Sequence, residues 1–288
     1  MKLFTPKNTL LTLSLAFLGL GLCSAQAEVE SAPIVGGTLV SSSELIARRT
    51  VGLYFLITEN GQKGAAICSG SILDSSHILT AAHCVQGFQA GYVVFSANDV
   101  FSALKQANLQ APVANGSAVQ PMVSALAFPG FPGMNAANGN AGEFVDLAVI
   151  TFRGGLPAGY EPAHFLPKNT LLSELGKSPD LTLSGYGMTT PPSQRPSSSS
   201  ASGFPAGVGT LRKVQVHTDH IASQQIDVFV GGVPHHNACE GDSGGPAMLT
   251  LNNDVYVVGV DSRGDCNTTS IYTIVDQENL SSTLALGN

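Results

Sequence analysis

The sequence predicts an all-β protein, a sandwich or barrels rather than an α/β fold. Three observations carry that prediction. Short runs rich in Val, Ile, Leu and Tyr recur along the chain, clusters of Gly, Pro, Asn and Ser separate them, and helical periodicity is scarce. Apolar residues make up 43% of the 288 and charged ones only 11%, enough for a sizeable core and unlike a disordered chain. The net charge of −7 argues against a polyanion-binding surface, so no nucleic-acid partner is expected.

The first 27 residues read as a secretory signal: Lys2 and Lys7, an apolar run over 10–22, then Ala25-Gln26-Ala27 with small residues where a signal peptidase reads. That run is short for a membrane span, and no other uninterrupted apolar stretch approaches the required length. A lipoprotein anchor at Cys23 is the rival reading, disfavoured because Leu22 stands where such signals take a small residue. The expectation is an exported, soluble chain, secreted or periplasmic, whose net charge falls from −7 to −9 with the loss of Lys2 and Lys7.

Strands are predicted in order at 51–57, 65–73, 92–95, 145–152, 181–186, 211–217, 226–230, 246–251, 255–260 and 271–275. A helix is predicted over 276–286, with weaker ones near 98–108 and 169–175. Segments 128–142 and 189–209 are Gly-, Asn-, Pro- or Ser-rich loops, the second a linker or an extended surface loop, and no internal repeat is evident.

Without Cys23, four cysteines remain: Cys68, Cys84, Cys239 and Cys266. An even count in an exported protein reads as two disulfides in one of three connectivities. Zinc competes poorly, since no pair has a C-x-x-C spacing.

Chemistry enters at Gly241-Asp242-Ser243-Gly244-Gly245-Pro246. A serine among glycines lets backbone approach a substrate closely, although an isolated match is commonly an ordinary turn. The nucleophile elbow of α/β-hydrolases is excluded, because that order needs a histidine after the serine and none follows Ser243. A serine hydroxyl needs a base within reach, itself oriented by a third group. Of His77, His83, His164, His217, His220, His235 and His236, only His83 has a distinctive setting, Thr80-Ala81-Ala82-His83-Cys84. The His235-His236 pair lacks a carboxylate at ligand spacing, so no metal is expected. The third member is Asp146, a single carboxylate in Phe144-Val145-Asp146-Leu147-Ala148-Val149-Ile150. Alone it could face solvent; beside His83 and Ser243, orienting the imidazole is the better account.

Four strings in order, Ile34-Val35-Gly36-Gly37, residues 80–84, Asp146-Leu147-Ala148 and residues 239–246, resemble the trypsin/chymotrypsin-like serine peptidase family. The resemblance covers everything after the signal and suggests an exported, bacterial-type member. It implies two packed antiparallel β-barrels of the chymotrypsin type with a short C-terminal helix. The first, about 34–155, would carry His83 and Asp146; the second, about 156–288, would carry Ser243, behind a propeptide at 28–33. The implied activity is endopeptidase acyl transfer through Ser243, His83 and Asp146, with the Gly241 and Ser243 N–H groups as oxyanion hole. A catalytically silent binding or adhesion module is the alternative function.

The same resemblance implies Cys68–Cys84 and Cys239–Cys266 bridges, and activation by a new terminus at Ile34 that pairs with Asp242. Pro33 departs from the Arg or Lys that precedes many such cleavage points, so a different activating peptidase is expected. Asn237 stands where trypsin-like specificity needs Asp, which does not support strong cleavage after basic residues. Ser262 and Gly264 match the substrate-pairing strand in the preferred register; in the alternative, Arg263 lines the pocket mouth and favours acidic side chains. Ser270 is a second pocket-floor candidate, and 191–207 resembles an enlarged loop prone to self-cleavage. The sequons at Asn115, Asn267 and Asn279 are of a kind that arises often by chance. A monomer acting on peptide or protein substrates without a cofactor is expected.

Overall fold

The computed structural model describes residues 34–59, 62–133, 144–190, 203–205, 207–222, 224–229 and 236–286. The predicted signal (1–27) and propeptide (28–33), His235 and most of both predicted loops lie outside them.

The described chain opens with β1 (Thr38–Leu39) and α1 (Leu45–Arg49). Then come β2 (Thr50–Glu59), β3 (Gln62–Ile72), β4 (His77–Thr80), β5 (Ala90–Val94), α2 (Val100–Gln106), β6 (Val119–Ala127) and β7 (Ala148–Phe152). These six strands after β1 close into a barrel in the order β2-β3-β4-β7-β6-β5. After β8 (His164–Phe165) and α3 (Lys168–Leu175) follow β9 (Asp180–Gly185), β10 (Arg212–Ile221), β11 (Gln225–Phe229), β12 (Pro246–Leu251), β13 (Asp254–Gly264) and β14 (Thr269–Ile274). They form a second ring, β9-β10-β11-β14-β13-β12, closed by pairing of β9 with β10. The chain continues into α4 (Gln277–Leu286).

Period-two burial explains the strands. Val51, Leu53 and Phe55 point into the first barrel, where Ile78, Val93, Ile150 and Phe152 meet them. In β10, buried Val214, Val216 and Thr218 alternate with exposed Gln215, His217 and Asp219. The second core adds Leu171 and Leu175 from α3. A third apolar cluster, including Leu79, Val94, Val100, Tyr186, Met248 and Val260, draws on both barrels and so joins them. Helix starts follow capping chemistry: the Asp99 carboxylate accepts from Phe101 N at 2.9 Å for α2, and Asp276 accepts from Asn279 N at 2.8 Å for α4.

Four strands and one α-helix are absent from the sequence prediction: β1 and β8, of two residues each, β4, β6 and α1. β6 contains Pro121, which disfavours strand interiors, and its register shifts between Met122 and Ser124. β4 has only four residues, and α1 only five.

The segment from residue 34, expected in the first barrel, pairs with the second. Val35 exchanges backbone hydrogen bonds with Asn237, and Thr38 lies opposite Lys213 in β10. Ile34 is fully buried in the second core at a left-handed φ of 46°. Arg49 also ties the halves: its Nη1 donates to Asp254 Oδ1 and Val255 O, both at 2.8 Å, and its Nε donates to Glu161 Oε1 at 3.1 Å. Among the described residues, no helix is long and apolar enough to cross a membrane.

Candidate active site

His83 sits in a 3-10 turn, Ala82–Val85, directly after β4. Cys84 fixes that turn to β3 through a disulfide with Cys68, 16 residues earlier. The second bridge, Cys239–Cys266, spans 27 residues and joins the loop before Ser243 to the end of β13. These are one of the three connectivities that four cysteines allow.

Asp146 precedes β7 in an extended segment and is fully buried. Its Oδ2 receives His83 Nδ1 at 2.8 Å and Ser262 Oγ at 2.7 Å, and its Oδ1 accepts from His83 N at 3.0 Å. Three hydrogen bonds therefore satisfy a carboxylate that burial alone would penalise. They fix the imidazole with Nδ1 toward the acid, while Nε2 lies 3.7 Å from Cys84 Sγ. Ser262 reaches Asp146, while Arg263 also lines the cleft; its guanidinium stacks on Phe144, 4.6 Å from the ring centroid, and Nη2 donates to Gln225 Oε1 at 3.3 Å.

Ser243 crowns a tight loop. Asp242 N donates to Cys239 O at 2.9 Å, Gly245 N to Asp242 O at 2.7 Å, and Gly244 N to Asp261 O at 2.8 Å. Gly244 has φ +81°, and a Cβ there would lie 2.1 Å from Thr80 Oγ1 and 2.5 Å from Ser69 O. Only glycine lets the nucleophile loop meet the first barrel so closely. Ser69 is the main cross-barrel contact: its N donates to Ser243 O at 2.8 Å, and its Oγ donates to Gly241 O at 2.9 Å while accepting from Tyr186 N at 3.0 Å. Sequence reasoning missed Ser69; the available signal was a polar residue beside a half-cystine in an apolar strand.

His83 and Ser243 both line a cleft of about 230 Å³, with Ala238, Glu240, Asp261, Ser262, Gly264 and Ser270 among its other walls. Asn237 is sealed behind this lining: its Oδ1 accepts from Ala238 N at 2.9 Å and from Ser270 Oγ, and its Nδ2 donates to Asp265 Oδ1 at 3.4 Å. Asp242 is buried and accepts from Gly187 N at 2.7 Å and Cys239 N at 2.9 Å. Burial outweighs those hydrogen bonds and pushes its carboxyl up to about 7.

The other described histidines lie apart from the cleft lining. His77 pairs with Asp74 at 2.8 Å, His217 with Asp180 at 2.9 Å, and His164 with Asp254. Among the described residues the grouping nearest to a metal site is Cys68, His83 and Cys84, but both sulfurs are consumed by the bridge and supply no thiolate.

Two closed antiparallel barrels, one holding the His83–Asp146 pair and the other Ser243, with His83 and Ser243 lining one cleft, define a double-barrel protein. The trypsin family model matches residues 48–125 and 167–280, and the chain belongs to that family. Phenoloxidase-activating enzyme 1 of Spodoptera litura is 24% identical over 237 residues, covering 80% of this chain and 60% of that protein. Serine protease 7 of Drosophila melanogaster is 26% identical over 205 residues, covering 69% of this chain and 51% of that protein. The chain thus spans somewhat over half the length of these curated relatives, and both are insect proteins, which gives no support to a bacterial-type member. A solved structure of HL collagenase superposes with a TM-score of 0.61 at 18% identity, covering 88% of this chain and 99% of that one, and shows the same fold.

Proposed function

We propose that this chain is an exported serine endopeptidase. The observation that carries the reading is the Asp146 carboxylate, buried and holding His83 through Nδ1 at 2.8 Å in the cleft that Ser243 lines. His83 Nε2 takes the Ser243 proton as Oγ attacks the peptide carbonyl, then returns a proton to the leaving amine. Asp146 stabilises the imidazolium between those steps, and Ser262 holds Asp146. The N–H groups of Gly241 and Ser243 receive the oxyanion, an interaction worth about 3–4 kcal/mol per donor. Water then releases the acyl group by the same route in reverse.

Activation completes the reading. A terminus created at Ile34 would supply an ammonium to buried Asp242, whose raised pKa marks a carboxyl short of a cation. Export is supported by the signal-like residues 1–27 and by two disulfides. One relative is named an activating enzyme, which fits a place in a proteolytic cascade for this chain as well.

The test is the intact mass of the exported protein before and after a fluorophosphonate. A mature mass beginning at Ile34 with one adduct, lost in Ser243→Ala, is the expected result. Ile34 at the terminus without an adduct would replace this reading with that of a silent binding module.

A further inference from the structure

A second concavity lies on the flank of the first barrel and shares no lining residue with the cleft of His83 and Ser243. It is a groove of about 1130 Å³ lined by α2, by the segment 107–118 and by Tyr92 of β5 and Val119 and Pro121 of β6. Phe95, Leu109 and Val113 extend its apolar surface, and the last two are 42% and 37% exposed there. Contiguous apolar surface in a concavity is the mark of a ligand groove.

Both walls are held by the protein's own contacts. Behind α2, Val100 N donates to Gly209 O at 2.8 Å, and Phe101 stacks on Phe204 with ring centroids 5.0 Å apart. Segment 107–118 is pinned where Gly116 N donates to Gly154 O at 2.7 Å and Gln120 Nε2 donates to Ser117 O at 2.9 Å. The groove is therefore preformed.

Its two charged groups differ in their freedom. Asp99 caps α2, its carboxylate accepting from Phe101 N at 2.9 Å and from Ser102 Oγ at 2.6 Å. Arg153, directly after β7, is exposed, and its guanidinium makes no hydrogen bond or ion pair with any described residue. An apolar trough with one uncommitted cation complements a molecule that has an apolar body and a single anionic end. The volume exceeds the roughly 300–1,000 Å³ of most small-ligand pockets, which favours an elongated body. A peptide is disfavoured: β5 is hydrogen-bonded to β2 on one side and to β6 on the other, so the closed barrel offers no edge with which a peptide backbone could pair.

We infer that this groove is a binding site for a long-chain aliphatic carboxylate, a fatty acid. Its chain lies along Phe95, Leu109 and Val113, and Arg153 holds its carboxylate. The site does not depend on the peptidase reading above.

The test titrates cis-parinaric acid, a polyene fatty acid whose fluorescence rises in apolar surroundings, into the chain with its disulfides intact. Saturable binding that hexadecanoate displaces is expected. Arg153→Gln should weaken it about 10-fold through the lost charge-assisted hydrogen bond, and Leu109→Glu should abolish it. Both positions are exposed, so the variants keep the fold. Lys105→Gln, at an exposed cation of α2 outside the groove lining, should leave binding unchanged. No saturable binding, or an affinity that either Arg153→Gln or Leu109→Glu leaves unaltered, would overturn the inference. So would an effect of Lys105→Gln as large as that of Arg153→Gln, which would mean diffuse charge attraction. Displacement by hexadecanol as strong as by hexadecanoate would show that no carboxylate is read, and displacement by an apolar peptide but not by hexadecanoate would make the groove a peptide-docking surface; either result refutes the fatty-acid site.

Discussion

Ser69→Ala should destabilise the protein by about 2–4 kcal/mol and slow the reaction of Ser243 with a fluorophosphonate. The hydroxyl is fully buried; it donates to Gly241 O at 2.9 Å and accepts from Tyr186 N at 3.0 Å. Alanine preserves the packing of Cβ but leaves one carbonyl and one N–H buried without partners, at roughly 1–3 kcal/mol each. The Gly241 peptide also loses the contact that orients it, and Gly241 supplies one proposed oxyanion donor. For a domain of this size, the stability loss corresponds to a fall of about 5–12 °C in Tm. Guanidinium unfolding of wild type and Ser69→Ala, at matched pH and with the disulfides intact, measures it directly. Exposed Ser41→Ala serves as the control and should stay within about 0.5 kcal/mol. A loss below about 0.5 kcal/mol for Ser69→Ala itself would refute the argument that this hydroxyl joins the barrels at the nucleophile.

Three further outcomes are expected. In the unprocessed chain, Asp242 titrates near 7 when folded and near 3.8 when unfolded, so between those values the folded state holds a proton that the unfolded state lacks; stability should fall as pH rises through that window, by on the order of 4 kcal/mol, and Asp242→Asn should flatten the profile. Gly187→Ala places a Cβ 2.5 Å from Asp242 N and Cγ, which must shift the nucleophile loop; a loss of about 1–3 kcal/mol in chemical unfolding and much slower fluorophosphonate labelling are expected. Arg49→Ala takes one partner each from Glu161, which keeps Arg48, and Asp254, which keeps His164; both side chains are part-exposed, at 30% and 27%, so a loss of about 1–2 kcal/mol is expected from unfolding curves, below the value for a sealed pair.

Chemistry was legible in the sequence where it is written locally. The strings around His83, Asp146 and Ser243 carry their meaning within a few residues, and the strands with clean alternation, such as β2 and β10, announce themselves by period. β6 did not, because Pro121 and a register shift break its pattern and only pairing with β5 and β7 makes it a strand. Asp146, read as part of a strand, lies in an extended segment just ahead of β7, where its hydrogen bonds and not the sheet ladder hold it. Ser69 was illegible for a different reason. It is an unremarkable polar residue in an apolar strand, and its importance comes from partners more than 100 residues away.

Ile34 bears on the direction of the activating cut proposed above. A β-branched residue at φ 46° is held in a conformation that L-residues avoid by roughly 1–2 kcal/mol, and here it is kept there by complete burial. The φ torsion exists only while a peptide bond precedes the residue. Hydrolysis ahead of Ile34 would therefore abolish the unfavourable dihedral itself, not merely relax it, and the new terminus could rotate freely into place. The intact linkage acts as a loaded spring whose release favours the cut form about tenfold over an unstrained bond and opposes religation by the same factor. The step becomes a ratchet built into one residue's backbone.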